Sequence, residues 1–266
     1  MSATLFSART LVLLTLAVMM APQMAVAQSS SPSREPLVVE ADESLQWRRD
    51  DRQYIATGNA VATQGNTVLE ADTITADYTE NAADSSDDIN ISRIVGEGGA
   101  KLTEPDYQAV AGTIEYSLET NVARLRGGDL TITADDGTVT ATETIVYNRG
   151  ERLVVATGTA QIALSNGQRI NGDRIEVDLD AGERDFTAIR AFGNAEVFSP
   201  EADRNREARA ENITYTRASG IAILTGSVEI LDGSNRMTGD KAEINTVTGI
   251  STMTATGGRV GGVFTP

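Results

Sequence analysis

Residues 58–78, GNAVATQGNTVLEADTITADY, hold the pattern that decides the fold. Two runs of alternating apolar and polar residues flank the turn residues Gln64-Gly65-Asn66, and the second run carries Ile74 and Tyr78. Successive side chains of a strand point to opposite faces, and Gly and Asn tolerate the positive φ of a tight hairpin. The stretch therefore predicts two antiparallel strands, each with one apolar face.

The same pattern recurs along the chain. A glycine opens a predicted strand at Gly58, Gly98, Gly127, Gly158, Gly193, Gly226 and Gly257. A small residue, usually beside an acid, then introduces an alternating strand at 70–78, 110–118, 140–148, 171–179, 209–217 and 238–246, with 38–47 as a degenerate first copy. Two linked signals at matched offsets indicate a repeat of about 30 residues.

The repeat predicts an all-β fold, an elongated antiparallel β-jellyroll or rolled sheet built from strand–turn–strand repeats. Further turn clusters lie at 135–137, 165–167, 180–182 and 232–234, and connections this short suit antiparallel neighbours. A sheet with one apolar face must bury it, so the sheet is expected to form two walls. A right-handed parallel β-helix is the alternative. The longest loops are predicted at 81–88 and 201–209.

The N-terminus is predicted to lie outside the fold. Residues 1–27 have the features of a signal peptide: Arg9, an apolar run at 11–21 and the A-x-A site Ala25-Val26-Ala27. The run is shorter than the roughly 20 residues of a membrane span, although an uncleaved anchor remains the alternative. Residues 28–36 then form a polar lead-in, and 37–264 the repeat domain.

Composition argues against several classes of function. The formal net charge is −16, so binding of nucleic-acid phosphates is not expected. There is no histidine and no cysteine, which removes His-dependent triads, most zinc sites and disulfides. We therefore expect no enzyme, no cofactor and no metal.

Acidic residues form two groups that could suggest chemistry. Asp84, Asp87 and Asp88, with Asp135 and Asp136, lack the ligand alternation and the glycine of a calcium loop. Five other acids recur just before the strands, which favours a structural role in the turn or on the outer face over a carboxylate array: Asp72, Glu143, Asp173, Glu211 and Asp240.

Residues 37–78 resemble the OstA-type domain of the LptA family of periplasmic lipopolysaccharide transport proteins. The shared pattern is an apolar pair, E-A-D, a T-G-N strand, a T-Q-G turn and a second A-D strand. The resemblance continues less strictly through RIVGEGGAKL, AGTIEYSL and INGDRIEVDL. The chain departs from LptA in having more repeats, from LptD in lacking a barrel domain, and from LptC in its cleavage site.

The resemblance implies a slightly twisted β-jellyroll in the periplasm, with an open apolar groove for the acyl chains of lipid A. It would carry lipopolysaccharide from the inner to the outer membrane. Aligning the apolar strand positions gives the candidate groove residues Leu37, Val39, Leu102, Ile114, Tyr116 and Leu118. The alternative is that these side chains form a plain packed core.

The resemblance also implies end-to-end joining through terminal strands. The candidate edge residues are Val38, Glu40, Val260 and Val263, and the expected partners are further copies of this chain and LptC-like and LptD-like proteins. Three alternatives remain: a structural β-repeat scaffold with a closed interior, an LptC-like or LptD N-terminal-like module, and a secreted polysaccharide-active β-helix enzyme. The last needs exposed aromatic rails, for which five Phe and one Trp are few.

Overall fold

A computed structural model describes residues 36–80, 89–183, 185–200 and 205–265, and within these ranges the regular structure is entirely β. None of the described residues forms a helix long and apolar enough to cross a membrane. The strands are β1 (Val38–Glu40), β2 (Ser44–Arg48), β3 (Gln53–Gln64), β4 (Thr67–Glu80), β5 (Ile89–Thr103), β6 (Tyr107–Ser117), β7 (Val122–Arg126), β8 (Leu130–Ala134), β9 (Gly137–Ala141), β10 (Thr144–Asn148), β11 (Leu153–Leu164), β12 (Arg169–Leu179), β13 (Phe186–Pro200), β14 (Asn205–Thr216), β15 (Ile221–Asp232), β16 (Asn235–Asn245), β17 (Ser251–Thr254) and β18 (Gly261–Val263).

The strands form one antiparallel meander. Four pairs of short strands each act as one broken strand: β1 and β2 both pair with β3, β7 and β8 with β6, β9 and β10 with β11, and β17 and β18 with β16. We call each long strand or broken pair a rung. Every rung pairs with the next one along the chain. The antiparallel prediction is confirmed, and the parallel β-helix is wrong.

The repeated glycines lie in the middle of rungs, so the prediction that they open strands is wrong. At Gly58 and Asn59 the φ angles are 87° and 43°, and the register of β3 against β4 shifts between Thr57 and Ala60. Paired positive φ values recur at 98–99, 127–128, 158–159, 193–194 and 226–227. Such bulges bend a strand, so each of these rungs has two arms that meet at a crease. Gly257 lies outside the strands.

The two sets of arms form two walls. The first wall contains β2, β7, β10 and β17 with the arms that pair with them, and the second contains β1, β8, β9 and β18 with theirs. Alternate side chains of both walls belong to one buried cluster, which confirms the predicted two-walled sheet. Beside the crease the first wall contributes large aliphatic side chains and the second mainly alanine: Ile74, Ile114, Leu125, Ile145, Ile175, Ile213, Ala60, Ala71, Ala100, Ala160 and Ala195.

The predicted signal peptide and all but the last residue of the lead-in lie outside the described residues, as does the predicted loop at 81–88. The predicted loop at 201–209 is partly wrong, because Asn205 to Arg209 belong to β14. The alternating pattern NREARAENITYT carries the strand back to Asn205. The turns at 65–66, 135–136, 165–168 and 233–234 are confirmed.

Candidate functional site

The interior between the walls is apolar from the crease outward. On the first wall, the row next to the crease passes through Leu45, Ala56 and Ile74, because these residues are cross-strand partners. The next row outward passes through Trp47, Tyr54 and Ala76, and contains Tyr116, Tyr147 and Tyr215 farther along the sheet. Aliphatic side chains therefore fill the crease, and aromatic rings line the interior nearer its mouth.

A pocket of about 310 Å³ lies between the walls in the second half of the chain. Its apolar lining combines second-wall residues with first-wall residues, and ligand pockets in proteins typically measure ~300–1,000 Å³. Polar groups, including Asn166, Gln168 and Arg217, lie among the lining residues. This arrangement can accommodate a slender apolar group with a polar end toward the rim. The apolar side chains are Leu164, Ile170 and Val197 from the second wall and Phe186, Ile189 and Tyr215 from the first.

The six candidate groove residues fall in three environments. Leu37, Val39 and Leu102 are half-buried on the second wall and pack against the core. Ile114 is 1% exposed and belongs to the crease. Tyr116 and Leu118 are half-buried toward the end of the first wall, where the Tyr116 hydroxyl donates to Asn121 Oδ1 over 3.3 Å.

None of the six is among the residues that line the 310 Å³ pocket. The pocket was missed by sequence reasoning, although Ile213 and Tyr215, which line it, stand in the alternating repeat at 209–217. Both residues read there as strand positions with an inward side chain. Alternation gives the face of a side chain, but it does not tell which parts of the opposite wall stand away from it.

The two walls touch through a pair of tyrosines near the middle of the chain. Tyr107 of the second wall and Tyr147 of the first have ring centroids 6.4 Å apart in an edge-to-face arrangement. The Tyr147 hydroxyl donates to Glu183 Oε2 over 2.6 Å, and Arg149 Nε donates to the same oxygen over 3.0 Å. Burial raises the pKa of both phenols well above the usual value of about 10, and for Tyr147 the Glu183 carboxylate adds to the rise. The rings are therefore neutral at ordinary pH and join the walls at this point.

The outer faces carry the charges. Arg190 donates to Glu176 Oε2 over 2.9 Å and to both carboxylate oxygens of Asp178. The hydrogen bond from Arg190 holds the pKa of Asp178 below its usual range. Arg209 forms ion pairs with Glu196 and Glu229 on the two neighbouring strands, at 3.0 and 3.9 Å. Cross-strand pairs thus offset repulsion on a strongly acidic surface while the interior stays apolar.

The recurrent acids lie on the outer face at the crease. All five are exposed: Asp72, Glu143, Asp173, Glu211 and Asp240. Four of them lie directly over a bulge glycine, where a Cβ would overlap the carboxylate side chain. Of the two predicted positions, in the turn or on the outer face, these acids occupy the outer face. Among the described residues no three Asp, Glu, His or Cys side chains are grouped so that they could hold a metal ion.

Both predicted terminal segments form the outer strands of the sheet. β1 contains Val38, which is 52% exposed, and Glu40. At the other end Val263 of β18 is 62% exposed, and Val260 just before β18 is 49% exposed. Each terminal rung is paired on one side only within the described ranges. Backbone donors and acceptors on the other side are thus available for pairing.

Comparison with known proteins gives the family. No curated protein matched the chain by sequence. Among solved structures it is similar to LptH, described as the LptA homologous periplasmic component of the lipopolysaccharide transport device from Pseudomonas aeruginosa, at 14% identity and a TM-score of 0.26, over 87% of this chain and 96% of that one. The profile of the family described as "LptA/(LptD N-terminal domain) LPS transport protein" matches residues 38–153 and again 154–250. The chain therefore belongs to the LptA/LptD N-terminal domain family of lipopolysaccharide transport proteins, with two family units in tandem.

Proposed function

We propose that this protein is a non-enzymatic periplasmic bridge that carries lipopolysaccharide from the inner to the outer membrane. The observation that carries the proposal is the apolar interior between two walls, which contains the 310 Å³ pocket, lined mainly by residues of the second family unit. Family membership supports the lipopolysaccharide ligand. The apolar run at 11–21 and the A-x-A site before Gln28 support export.

The energetics favour acyl chains inside the walls and phosphates outside. Burying about a dozen methylene groups at ~0.8 kcal/mol each gives on the order of 10 kcal/mol before the cost of association. The net charge of −16 repels lipid phosphates, but at physiological salt this repulsion is screened within about 8 Å. Apolar burial therefore outweighs the repulsion as long as the phosphates stay at the mouth.

The pocket is the proposed binding site in the second unit. The candidates in the first unit would extend the same apolar surface: Leu37, Val39 and Leu102 from the second wall, Tyr116 and Leu118 from the first, and Ile114 as the floor at the crease. Trp47 and Tyr54, stacked with ring centroids 5.7 Å apart, add aromatic surface on the first wall.

The proposed partners are LptC-like and LptD-like proteins and further copies of this chain, joined head to tail. The exposed edge residues Val38, Glu40, Val260 and Val263 support this, because unpaired terminal strands can extend a sheet into a neighbour. A structural scaffold with a closed interior is the second candidate function, favoured by the Tyr107–Tyr147 contact between the walls.

Photo-crosslinking separates the two functions. A photo-reactive amino acid in place of Tyr215, which lines the pocket, is expected to trap lipopolysaccharide in cells. The matched control is Thr214, whose side chain points to the other face of the same strand. A second probe replaces Tyr116 in the first unit. Adducts at neither tyrosine, or equal adducts at Tyr215 and Thr214, would contradict the lipid-carrying function and favour the scaffold.

A further inference from the structure

The beginning of the sheet is repeated within the chain at an offset of 100 residues. Residues 41–64 match 141–164 at Glu43 and Glu143, at Arg52 and Arg152, and at the crease glycines. Arg52 and Arg152 both have φ 54°, and β3 and β11 have the same pattern of burial along all 12 residues. The rung β1–β2 is therefore the structural equivalent of the rung β9–β10.

The two equivalent rungs differ in their neighbours. The rung β9–β10 is paired on both sides, with β11 and with β7–β8. The rung β1–β2 is paired with β3 alone among the described strands. Leu45 is 61% exposed whereas its equivalent Ile145 is 0% exposed, and Trp47 is 49% exposed whereas Tyr147 is 7% exposed. The apolar side chains exposed at the start of the sheet are thus the ones that a further rung covers inside it.

The last rung of the sheet is equivalent to the rung that provides this cover. β7 and β8 pair with the two arms of β6, and β17 and β18 pair with the two arms of β16 in the same order. Leu125 of β7 lies opposite Ile114, and Met253 of β17 lies opposite Ala242 at the equivalent place. The last described rung is therefore equivalent to the rung that, in the middle of the sheet, precedes the second copy.

The pairing of β7–β8 with β9–β10 forms a junction inside the chain. We infer that this junction is the template for a junction between chains, in which β17–β18 of one copy pairs with β1–β2 of the next. The internal pairing then determines the register of the contact between chains. This rests on the head-to-tail association proposed above and adds its geometry. Inside the chain Leu125 lies opposite Ile145 and Arg124 opposite Val146. By equivalence, Met253 of one copy lies opposite Leu45 of the next, and Thr252 lies opposite Gln46.

The second wall gives the same register independently. Ile132 lies opposite Val139 inside the chain, which places Gly262 opposite Val39 and Val263 opposite Val38. Glu40 then lies opposite Gly261, so no like charges face each other among these pairs. The contact continues the apolar rows of both walls from one chain into the next, and it adds backbone hydrogen bonds along both arms.

Disulfide crosslinking tests the register, because the chain contains no cysteine. Two double variants place cysteines at positions predicted to lie directly opposite each other: Q46C/T252C and S44C/T254C. Two matched controls use the same four substitutions in swapped pairs, Q46C/T254C and S44C/T252C. All four side chains point away from the interior, and swapped pairs lie diagonally, beyond the usual separation for a disulfide.

Purified full-length variants are oxidised without lipopolysaccharide and analysed on non-reducing gels. We expect a ladder of dimers and larger species, at least tenfold more abundant for the two opposite pairs than for the swapped pairs. Equal crosslinking in all four, or none in the opposite pairs, would overturn the inference. Since no lipid is present, the result is independent of photo-crosslinking at Tyr215. Disulfides in the predicted register without lipid adducts at Tyr215 would support this junction and contradict the lipid-carrying function. Lipid adducts without disulfides in that register would support the lipid-carrying function and contradict the junction.

Discussion

Leu45 and Ile145 occupy the same place in the two copies of one structural unit, and their surroundings differ completely. Leu45, on the first rung, is 61% exposed, and Ile145, in the middle of the sheet, is 0% exposed. Both precede the same kind of turn and both pair with an alanine, Ala56 or Ala156. Burial in this molecule therefore depends on whether a neighbouring rung is present, since the side chain and its own hairpin are much the same.

The largest expected difference concerns this pair. Ile145→Ala should lower the free energy of unfolding by about 2–5 kcal/mol, because it leaves a cavity beside the crease. Leu45→Ala should cost less than about 1 kcal/mol, because little apolar area is lost from an exposed side chain. Urea unfolding of dilute protein, followed by circular dichroism, measures both. Similar losses for the two variants would show that the first rung is already covered in solution.

The crease glycines should behave alike in the two copies. Gly58→Ala and Gly158→Ala should each cost about 1–3 kcal/mol, because both residues have positive φ and a Cβ would overlap Glu43 or Glu143. The clash is local to each rung, so the presence of a neighbour should not alter it. Gly150→Ala is the control, since Gly150 has neither a positive φ nor a close contact. Thermal unfolding that shows a loss at only one of the two glycines would argue against their equivalence.

A smaller effect on stability is expected at Tyr147, which has contacts in the middle of the chain that the first rung lacks. Tyr147→Phe removes the hydrogen bond to Glu183 and should cost about 1–2 kcal/mol at neutral pH. The folded-state pKa of Tyr147 lies above that of the unfolded chain, so its contribution is complete below pH ~10 and is lost as the pH rises further. Between pH 9 and 11 the variant should therefore lose less stability than the wild type, although Tyr107 still contributes to both. An unchanged slope of stability against pH would contradict this role for Tyr147.

Much of the fold could be predicted from the repeat, but the bulges that bend the rungs at the crease could not. Alternation around Ile114, Ile175 and Ile213 correctly gave antiparallel strands and an inward face. The glycines were misplaced because a G-N or G-T pair reads equally well as a turn at the end of a strand and as a bulge within it. Only the pairing of β3 with its neighbours both before and after Gly58 shows that the strand continues through this glycine.

The candidate site was predicted less well than the fold. The inward side chains of the first unit were identified, but the 310 Å³ pocket lies in the second, between Leu164 and Ile170 on one wall and Phe186 and Tyr215 on the other. These residues lie on consecutive rungs but on opposite walls, so their separation depends on how each rung bends at the crease. Sequence alternation contains no information on that distance.

By itself, the sequence determined the strand period, the turns, the exposed acids and the resemblance to the family. Each of these depends on residues near one another along the backbone. Tertiary structure decided where the strands bend, which inward side chains form a closed crease and which line a pocket, and why Leu45 is exposed while Ile145 is buried. The physical reason is that burial and cavity volume are set by neighbours in space. In this sheet those neighbours are the next rung and the opposite wall.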